Sequence, residues 1–252
     1  MTAHATIPND YAPAPRLLEG RVILVTGAGQ GLGRAVALAC AAHGATVALL
    51  GRTPKKLEAT ADAIEAAGGA EPLLAQLDLA KANAGELEQL AHLLRREAQR
   101  LDGIAHCASH FVPLTPLANQ TLDQWLLLLR VNLVAPHALT RACLPMLAAA
   151  PDASVVFVGE THGLNPAAFW GGFAVAKSAL PALAAIWADE LEGAGKPRMN
   201  VIVPGPIATP QRRMSHPGED PAGFRRPESV ATAFLYLLGP DGSAVSGRTC
   251  VL

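Results

Sequence analysis

The segment TGAGQGLG, residues 26–33, joins an apolar run to a helix-like run near the start of the chain. The run before it, VILVT (22–26), is rich in β-branched residues, as buried parallel strands are. The run after it, LGRAVALACAAHG (32–44), is typical of a helix that ends at a glycine. Glycines at such a junction let the backbone approach a pyrophosphate, and the helix N-terminus offers it N–H groups. The segment therefore predicts a dinucleotide-binding unit, although a short glycine pattern also fits a plain tight turn.

Strand-like and helix-like segments alternate along the rest of the chain. Six more strands are predicted, at 45–51, 72–78, 103–108, 154–159, 199–204 and 249–252. Further helices are predicted at 54–68, 86–100, 122–149, 172–191 and 229–239. This alternation is typical of an α/β Rossmann fold, a doubly wound, mostly parallel seven-stranded sheet with helices on both faces.

Two segments fall outside this pattern. Residues 1–15, rich in Ala, Pro and Thr, are expected to form a flexible arm before a single domain at 16–252. The segment 205–227 follows a predicted strand's carboxyl end, where loops of open α/β sheets meet ligands, so we expect a lid or substrate loop. Four arginines lie in this segment: Arg212, Arg213, Arg225 and Arg226. They either face solvent or contact an anionic substrate group.

Composition restricts the class of protein. Half of the 252 residues are hydrophobic and the formal net charge is −1, so no basic excess favours nucleic acid and no polybasic run favours a membrane surface. No uninterrupted apolar run is long enough to span a bilayer, and the N-terminus lacks the order of a signal peptide. The four cysteines form no CxxC pair, which favours buried thiols in a reducing compartment over metal ligands or disulfides. We therefore expect a cytoplasmic protein with no metal, nucleic-acid or membrane partner.

The spacing GxxxGxG, carried by Gly27, Gly31 and Gly33, resembles that of the short-chain dehydrogenase/reductase family. Other segments resemble the family's motifs in the family's order: LDLA with Asp78, HCAS (106–109) in place of NNAG, RVNLVAP with Asn132, AVAKSAL with Lys177, and PGPIAT (204–209). The resemblance covers about Leu18 to Leu252. It implies a nicotinamide-dependent oxidoreductase that acts on a small-molecule substrate.

The resemblance also implies which residues contact the cofactor. Asp78 would touch the adenine, Lys177 the nicotinamide ribose, and Thr209 the carboxamide. The full set expected to bind the cofactor is Gly27, Gly29, Gln30, Gly31, Leu32, Gly33, Arg52, Asp78, Leu79, Cys107, Ala108, Ser109, Lys177, Pro204, Gly205, Ile207 and Thr209. Ser109 adds a side chain where the family has a glycine, which would reshape binding near the nicotinamide ribose.

The end of the second strand decides between NADP and NAD. An acidic residue there would bind the ribose 2′-hydroxyl and repel a 2′-phosphate. This chain has Arg52 instead, and a guanidinium can hold a phosphate with two parallel hydrogen bonds. NADP is therefore the expected cofactor, with NAD as the alternative if Arg52 is only a solvated loop residue.

The resemblance places the catalytic centre at Asn132, Glu160, Phe173 and Lys177, with two departures from the family. Phe173 stands where the family has its tyrosine, and Glu160 stands where it has its serine. Phenylalanine has no proton to give, and positioned proton transfer contributes about 10²–10⁴-fold in rate. Neither of the chain's two tyrosines is expected to replace it, since they lie in the N-terminal arm and in the last helix.

Glu160 has several possible roles. If it lies near Lys177, the ammonium favours its ionised form, so it could act as a base toward an alcohol or serve only as an ion-pair partner. His162 is a second candidate proton carrier, or only a loop residue. The segment ETH (160–162) resembles the corresponding segment of pteridine reductases, and CASHF (107–111) resembles their variant of NNAG, although those enzymes keep the tyrosine.

Two functions follow from these departures. The first is an NADP-dependent oxidoreductase with an altered proton relay, acting on a carbonyl, imine or alcohol. The second is a catalytically inactive dinucleotide-binding protein that works as a sensor or a partner subunit. For either one, the resemblance implies a homodimer or homotetramer that pairs the apolar helical segments 122–149 and 172–191.

Overall fold

A computed structural model describes residues 4–192 and 197–252. Seven strands form one parallel sheet: β1 (Val22–Thr26), β2 (Thr46–Gly51), β3 (Leu73–Gln76), β4 (Gly103–His106), β5 (Ser154–Val158), β6 (Arg198–Val203) and β7 (Arg248–Val251). Their order across the sheet is β3-β2-β1-β4-β5-β6-β7. The predicted seven-stranded α/β fold is confirmed.

Ten α-helices connect the strands in the part of the chain that is described. They are α1 (Gly31–Ala42), α2 (Pro54–Ala66), α3 (Ala84–Ala98), α4 (Leu122–Leu129), α5 (Ala135–Ala149), α6 (Thr161–Leu164), α7 (Gly171–Ser178), α8 (Leu180–Leu191), α9 (Pro210–Ser215) and α10 (Pro227–Leu238). Each predicted helix is present, with ends displaced by a few residues.

Alternation of side chains along β1 divides the core into two layers. Ile23 and Val25 pack with α1, α2 and α10 on one face of the sheet. Val22 and Leu24 pack with α3, α5 and α8 on the other face. Because both faces are covered, β1, β2 and β5 are mostly apolar rather than alternating with polar residues.

The order of the strands fixes where ligands can bind. The chain winds outward from β1 to β2 and β3, and then returns to place β4 on the other side of β1. The loops after β1 and β4 therefore leave the sheet in opposite directions and open a crevice at its carboxyl edge. The glycine segment 26–33 lies at this point.

The predicted helical segment 122–149 contains an irregular turn. Residues 130–134, between α4 and α5, form a π-helical turn with one extra residue. The Asn132 side chain donates to the Leu128 carbonyl oxygen at 2.8 Å, so it replaces a backbone donor inside the helix. This local insertion has no signature in hydrophobic periodicity.

The helical stretch Gly171–Leu191 is the one described helix long and apolar enough, by length and composition, to cross a membrane. It consists of α7 and α8, and it contacts α4 and β6 inside the fold. Such packing is that of a core helix, and 44% of its most apolar window is buried.

The described part of the N-terminal arm, residues 4–15, contains no helix or strand but does not hang free. His4 forms a bridge with Thr249 of β7, and the Ala5 N–H donates to the Thr249 carbonyl oxygen at 3.1 Å. The Tyr11 hydroxyl donates to Asp241 at 2.8 Å, and its ring meets Tyr236 edge-on. The absence of sequence periodicity thus marked irregular backbone rather than a detached segment.

Candidate functional site

A cleft of about 510 Å³ opens at the carboxyl edge of the sheet. The loops that follow β1, β2, β3, β4, β5 and β6 all contribute to its walls. Every residue that the resemblance implied for cofactor binding lines it, from Gly27 to Thr209. Of the expected catalytic residues, Glu160, Phe173 and Lys177 line the same cleft and Asn132 does not.

The glycine segment forms a close-packed cradle at the bottom of the cleft. Gly27 has a φ of +67°, and a Cβ added to it would lie 2.9 Å from the Ala108 Cα. A Cβ on Gly33 would collide with the Gly27 carbonyl group, 2.7 Å from its carbon. Gln30, which precedes α1, makes no side-chain capping bond, so the first N–H groups of this helix are left for a ligand. A diphosphate fits this cradle because it needs both backbone approach and free donors.

Two cations lie at the rim where β2 ends. Arg52 lines the cleft and is exposed, and Lys56 from the first turn of α2 lines it beside Arg52. The Lys56 ammonium donates to Gln30 in the glycine segment. Sequence reasoning missed Lys56, although its position one helical turn beyond Arg52 was a usable signal.

Asp78 and His110 line the same part of the cleft as these cations. One Asp78 oxygen accepts from the Ala80 N–H at 3.1 Å. Partial burial lowers the pKa of His110, and the nearby Arg52 guanidinium lowers it further while Asp78 opposes both. His110 is therefore neutral at physiological pH and faces the Arg52–Asp78 part of the cleft.

Lys177 is buried beneath the opposite part of the cleft. Its ammonium donates to the Val158 carbonyl oxygen at 2.8 Å. Burial lowers its pKa to about 8, while the Glu160 carboxylate acts in the opposite direction. Among the described residues no salt bridge joins Glu160 to Lys177, so the ion-pair alternative does not hold as a direct contact. The two charges interact only at longer range.

Glu160 lies at the mouth of β5, where it precedes the short helix α6. One of its oxygens accepts from the Thr161 N–H at 3.0 Å, and the same oxygen is 3.6 Å from the His162 Nδ1. His162 does not line the cleft; its ring stacks on Trp170 with 3.9 Å between centroids. Its Nδ1 is buried and has no hydrogen-bond partner. The imidazole therefore contacts Glu160 and Trp170 from outside the cleft and does not face a ligand.

Three aromatic rings, here called the aromatic wall, line the same cleft as Glu160. Phe173 is 1% exposed, and its ring meets Phe111 edge-on at 5.1 Å between centroids. Trp170 is 6.2 Å from Phe173 and 5.9 Å from Phe111, and all three residues line the cleft. The Lys177 ammonium lies 5.7 Å from the centre of the Phe173 ring. The sequence showed the loss of a hydroxyl at Phe173, but not that aromatic carbon would surround the position.

Asn132 acts on the site through the backbone around it. It is buried, and its side-chain oxygen accepts from the Ser109 hydroxyl at 3.0 Å and from the His110 N–H at 3.2 Å. Its amide donates to the carbonyl oxygens of His110 and Leu128. The residue therefore holds the loop after β4 against the π-helical turn, which is a positioning role.

The segment 205–227 covers one side of the cleft and contains α9. The Arg212 guanidinium pairs with Glu219 through two hydrogen bonds of 2.7 Å and lies over the Phe224 ring. Arg225 donates to the carbonyl oxygens of Pro204 and Leu252. These two arginines are thus engaged within the protein rather than presented to a substrate.

A family model for short chain dehydrogenases matches residues 21–220. The chain belongs to the short-chain dehydrogenase family. It is 36% identical over 239 residues to the oxidoreductase YciK of Escherichia coli (strain K12), a match that covers 95% of this chain and 94% of that protein.

Solved structures of other short-chain dehydrogenases superpose closely on this one. One from Pseudomonas syringae has 41% identity and a TM-score of 0.94, and it covers 98% of this chain and 99% of that chain. One from Shigella flexneri, described as complexed with NADP, has 34% identity and a TM-score of 0.91 over 94% and 99% of the chains. One from Escherichia coli CFT073, described as complexed with NADPH, has 35% identity and a TM-score of 0.92 over 95% and 99%.

This short-chain dehydrogenase has no tyrosine that could substitute at the cleft. Tyr11 and Tyr236 pack against one another away from the cleft, and neither lines it. In the described ranges 4–192 and 197–252 no group of three or more His, Cys, Asp or Glu side chains could hold a metal ion. Any chemistry at the nicotinamide end of the cleft therefore depends on Glu160, Lys177 and the aromatic wall.

Replacing Gly33 tests the glycine cradle. Gly33→Ala is expected to weaken NADPH binding at least about tenfold, because the new Cβ would press on the Gly27 carbonyl group and shift the cradle. Titration of NADPH fluorescence measures the affinity. Gly218→Ala is the matched control, since a Cβ there meets nothing within 4 Å. Equal affinities for the two variants would contradict the assignment of the cradle.

Proposed function

We propose that this chain is an NADP(H)-dependent oxidoreductase that exchanges a hydride with a small carbonyl, imine or alcohol through an altered proton relay. The observation that carries the proposal is the pair of cations, Arg52 and Lys56, on the cleft rim beside the glycine cradle. A 2′-phosphate at this rim would meet two positive charges and no carboxylate at the end of β2. The two similar structures complexed with NADP and NADPH support the same cofactor.

Different residues along the cleft bind different parts of the cofactor. The cradle binds the diphosphate, Lys177 and Ser109 hold the nicotinamide ribose, and Thr209 orients the carboxamide. The bound cofactor supplies or accepts a hydride. Phe111, Trp170 and Phe173 exclude water from the reacting carbon because their rings form an apolar wall.

Glu160 takes the place of the family's serine in this relay. Its carboxylate lines the cleft and has a fixed orientation, since one oxygen accepts from the Thr161 N–H. A carboxylate in this position can accept a proton from an alcohol as a hydride leaves the adjacent carbon. The three-carbon side chain also reaches further into the cleft than a serine would.

A second function is favoured by one observation, the hydrophobic environment of Phe173. The ring is almost fully buried against Phe111 and Trp170, and it offers no proton to a carbonyl oxygen. A chain that binds NADPH but transfers no hydride would act as a nucleotide sensor or a partner subunit. Phe173→Tyr combined with Glu160→Ser would then gain reductase activity on simple ketones, whereas wild type would have none on any substrate class.

We also propose that the protein self-associates through the helical segments 122–149 and 171–191. Large apolar side chains on these segments are about half exposed or more: Leu122, Leu126, Val134, Val175 and Ile186. Exposed apolar side chains on adjacent helices are typical of an interface. We expect the protein to form a homodimer or a homotetramer.

Ile186→Glu tests this interface. Burial of a carboxylate against a partner is unfavourable, so the variant is expected to run as a monomer in light scattering at micromolar concentration. Leu74→Glu on β3 is the matched control, because Leu74 is 44% exposed and lies at the opposite edge of the sheet. The proposed interface is wrong if the Ile186 variant retains the wild-type mass.

Arg52→Ala tests the choice of cofactor. A hydrogen bond to a charged group contributes about 1.5–3 kcal/mol, so the affinity for NADPH should fall roughly ten- to a hundredfold. The affinity for NADH should change little, because NADH has no 2′-phosphate. Lys55→Ala is the control, since Lys55 is exposed and does not line the cleft. A parallel loss for both nucleotides would argue against a phosphate contact.

The pH dependence of NADPH binding tests the charge on Lys177. Its pKa in the free protein is about 8, and contact with the ribose favours the ammonium, so affinity should decline as pH rises through about 8. Glu160 raises this pKa, and Glu160→Gln should therefore move the start of the decline to lower pH. A decline that begins at the same pH in both proteins would show that Glu160 does not influence Lys177.

A further inference from the structure

We infer that the substrate end of the cleft accepts a cationic iminium group in preference to a neutral carbonyl. The inference rests on the proposed function and narrows its substrate class; for this class Glu160 acts as a counter-ion and not as a proton acceptor. Three features of the cleft carry it: a missing hydroxyl donor, a carboxylate that forms no Lys or Arg salt bridge among the described residues, and an aromatic wall. Each feature disfavours a carbonyl or favours a cation.

The first feature is the lack of a hydroxyl donor at the reacting position, where the Lys177 ammonium is directed to the Val158 carbonyl oxygen. A carbonyl that receives a hydride becomes an alkoxide, and its oxygen then needs a proton. Phe173 has none to give, and its ring is packed by Phe111 and Trp170 rather than by a hydroxyl. The Ser109 hydroxyl donates to Asn132, and His110 faces the Arg52–Asp78 part of the cleft.

An iminium group removes the need for that proton. Its carbon accepts a hydride, which is one proton with two electrons, and a C–H bond forms. The π electron pair of the C=N bond becomes the lone pair of the nitrogen, which loses its positive charge. The reduced cofactor supplies the hydride and departs in its oxidised form. The product is a neutral amine, and no protein side chain gains or loses a proton.

The second feature is the electrostatic situation of Glu160. In the described residues its carboxylate has no Lys or Arg salt bridge, and Lys177 is directed to the Val158 carbonyl oxygen instead. A carbonyl oxygen gathers negative charge as a hydride arrives, so a neighbouring carboxylate opposes its reduction. The same carboxylate attracts an iminium cation and serves as its counter-ion. Exclusion of water strengthens this attraction.

The third feature is the aromatic wall of Phe111, Trp170 and Phe173. The faces of such rings are negative, and they attract cations within about 6 Å of the ring centre. The Lys177 ammonium lies 5.7 Å from the centre of the Phe173 ring. Trp170 is held in place by His162, which stacks on its other face at 3.9 Å. A flat cation in this part of the cleft would be attracted both by the rings and by the Glu160 carboxylate.

Binding of a non-reducible cation gives a readout that is independent of turnover. The probe is the quaternary ammonium N,N-dimethyl-tetrahydroisoquinolinium, with tetralone as the neutral compound of similar shape, and calorimetry is performed on the NADPH-loaded protein. The cation is expected to bind at least about tenfold more tightly than tetralone. Glu160→Gln is expected to remove most of that preference. Glu88→Gln, an exposed carboxylate on α3, is the matched control and should retain it.

Turnover gives the second readout. N-methyl-dihydroisoquinolinium should be reduced with oxidation of NADPH well above the rate without protein, and tetralone should not be reduced. Glu160→Gln should lower kcat/KM for the iminium about tenfold or more. Phe173→Tyr should not accelerate it, because no proton is needed.

The two readouts separate this inference from the proposed function. If the protein binds NADPH but prefers tetralone, or if Glu160→Gln leaves the affinity for the cation unchanged, the inference is wrong and the proposed function stands. If the protein does not bind NADPH, the proposed function itself is wrong and the inference falls with it. Tighter binding of the cation together with its reduction supports both.

Discussion

The architecture depends on the close backbone contact between the loops that follow β1 and β4. Gly27 lies so near to Ala108 that a Cβ would not fit, and the Ala108 N–H donates to the Thr26 hydroxyl at 2.9 Å. These contacts join the two halves of the sheet at the point where the strand order reverses. The crevice exists because the two loops are held together at their base and diverge above it. A larger residue at Gly27 would separate the loops and change both ends of the cleft.

The charge along the cleft is divided between its two ends. Arg52 and Lys56 give the β2 rim positive charge, while the end near β5 combines one carboxylate, one buried ammonium and three aromatic rings. The buried ammonium is the sensitive element, because its pKa of about 8 reflects a balance between desolvation and Glu160. Water exclusion strengthens each of these interactions, so the change from serine to Glu160 alters the chemistry more than its size alone would suggest.

Support for the site comes from residues behind the cleft. Asn132 ties the loop after β4 to the π-helical turn, and His162 supports both Glu160 and Trp170. The His162 Nδ1 is buried without a hydrogen-bond partner and lies 3.6 Å from a Glu160 carboxylate oxygen. Ring stacking and one buried amide thus support the side chains that line the cleft.

The sequence alone determined the fold and the position of the glycine segment between β1 and α1, while the two altered catalytic positions, Glu160 and Phe173, stay a prediction. It could do so because strand–helix alternation and motif spacing are local properties, and because VILVT and TGAGQGLG occur in adjacent segments. Only the tertiary structure decided that Lys56 joins Arg52, that Glu160 and Lys177 make no direct ion pair, and that Phe111 and Trp170 surround Phe173. The tertiary structure also showed that the N-terminal arm pairs with β7. These are contacts between residues far apart in the chain, and their distances depend on packing, which no local pattern encodes.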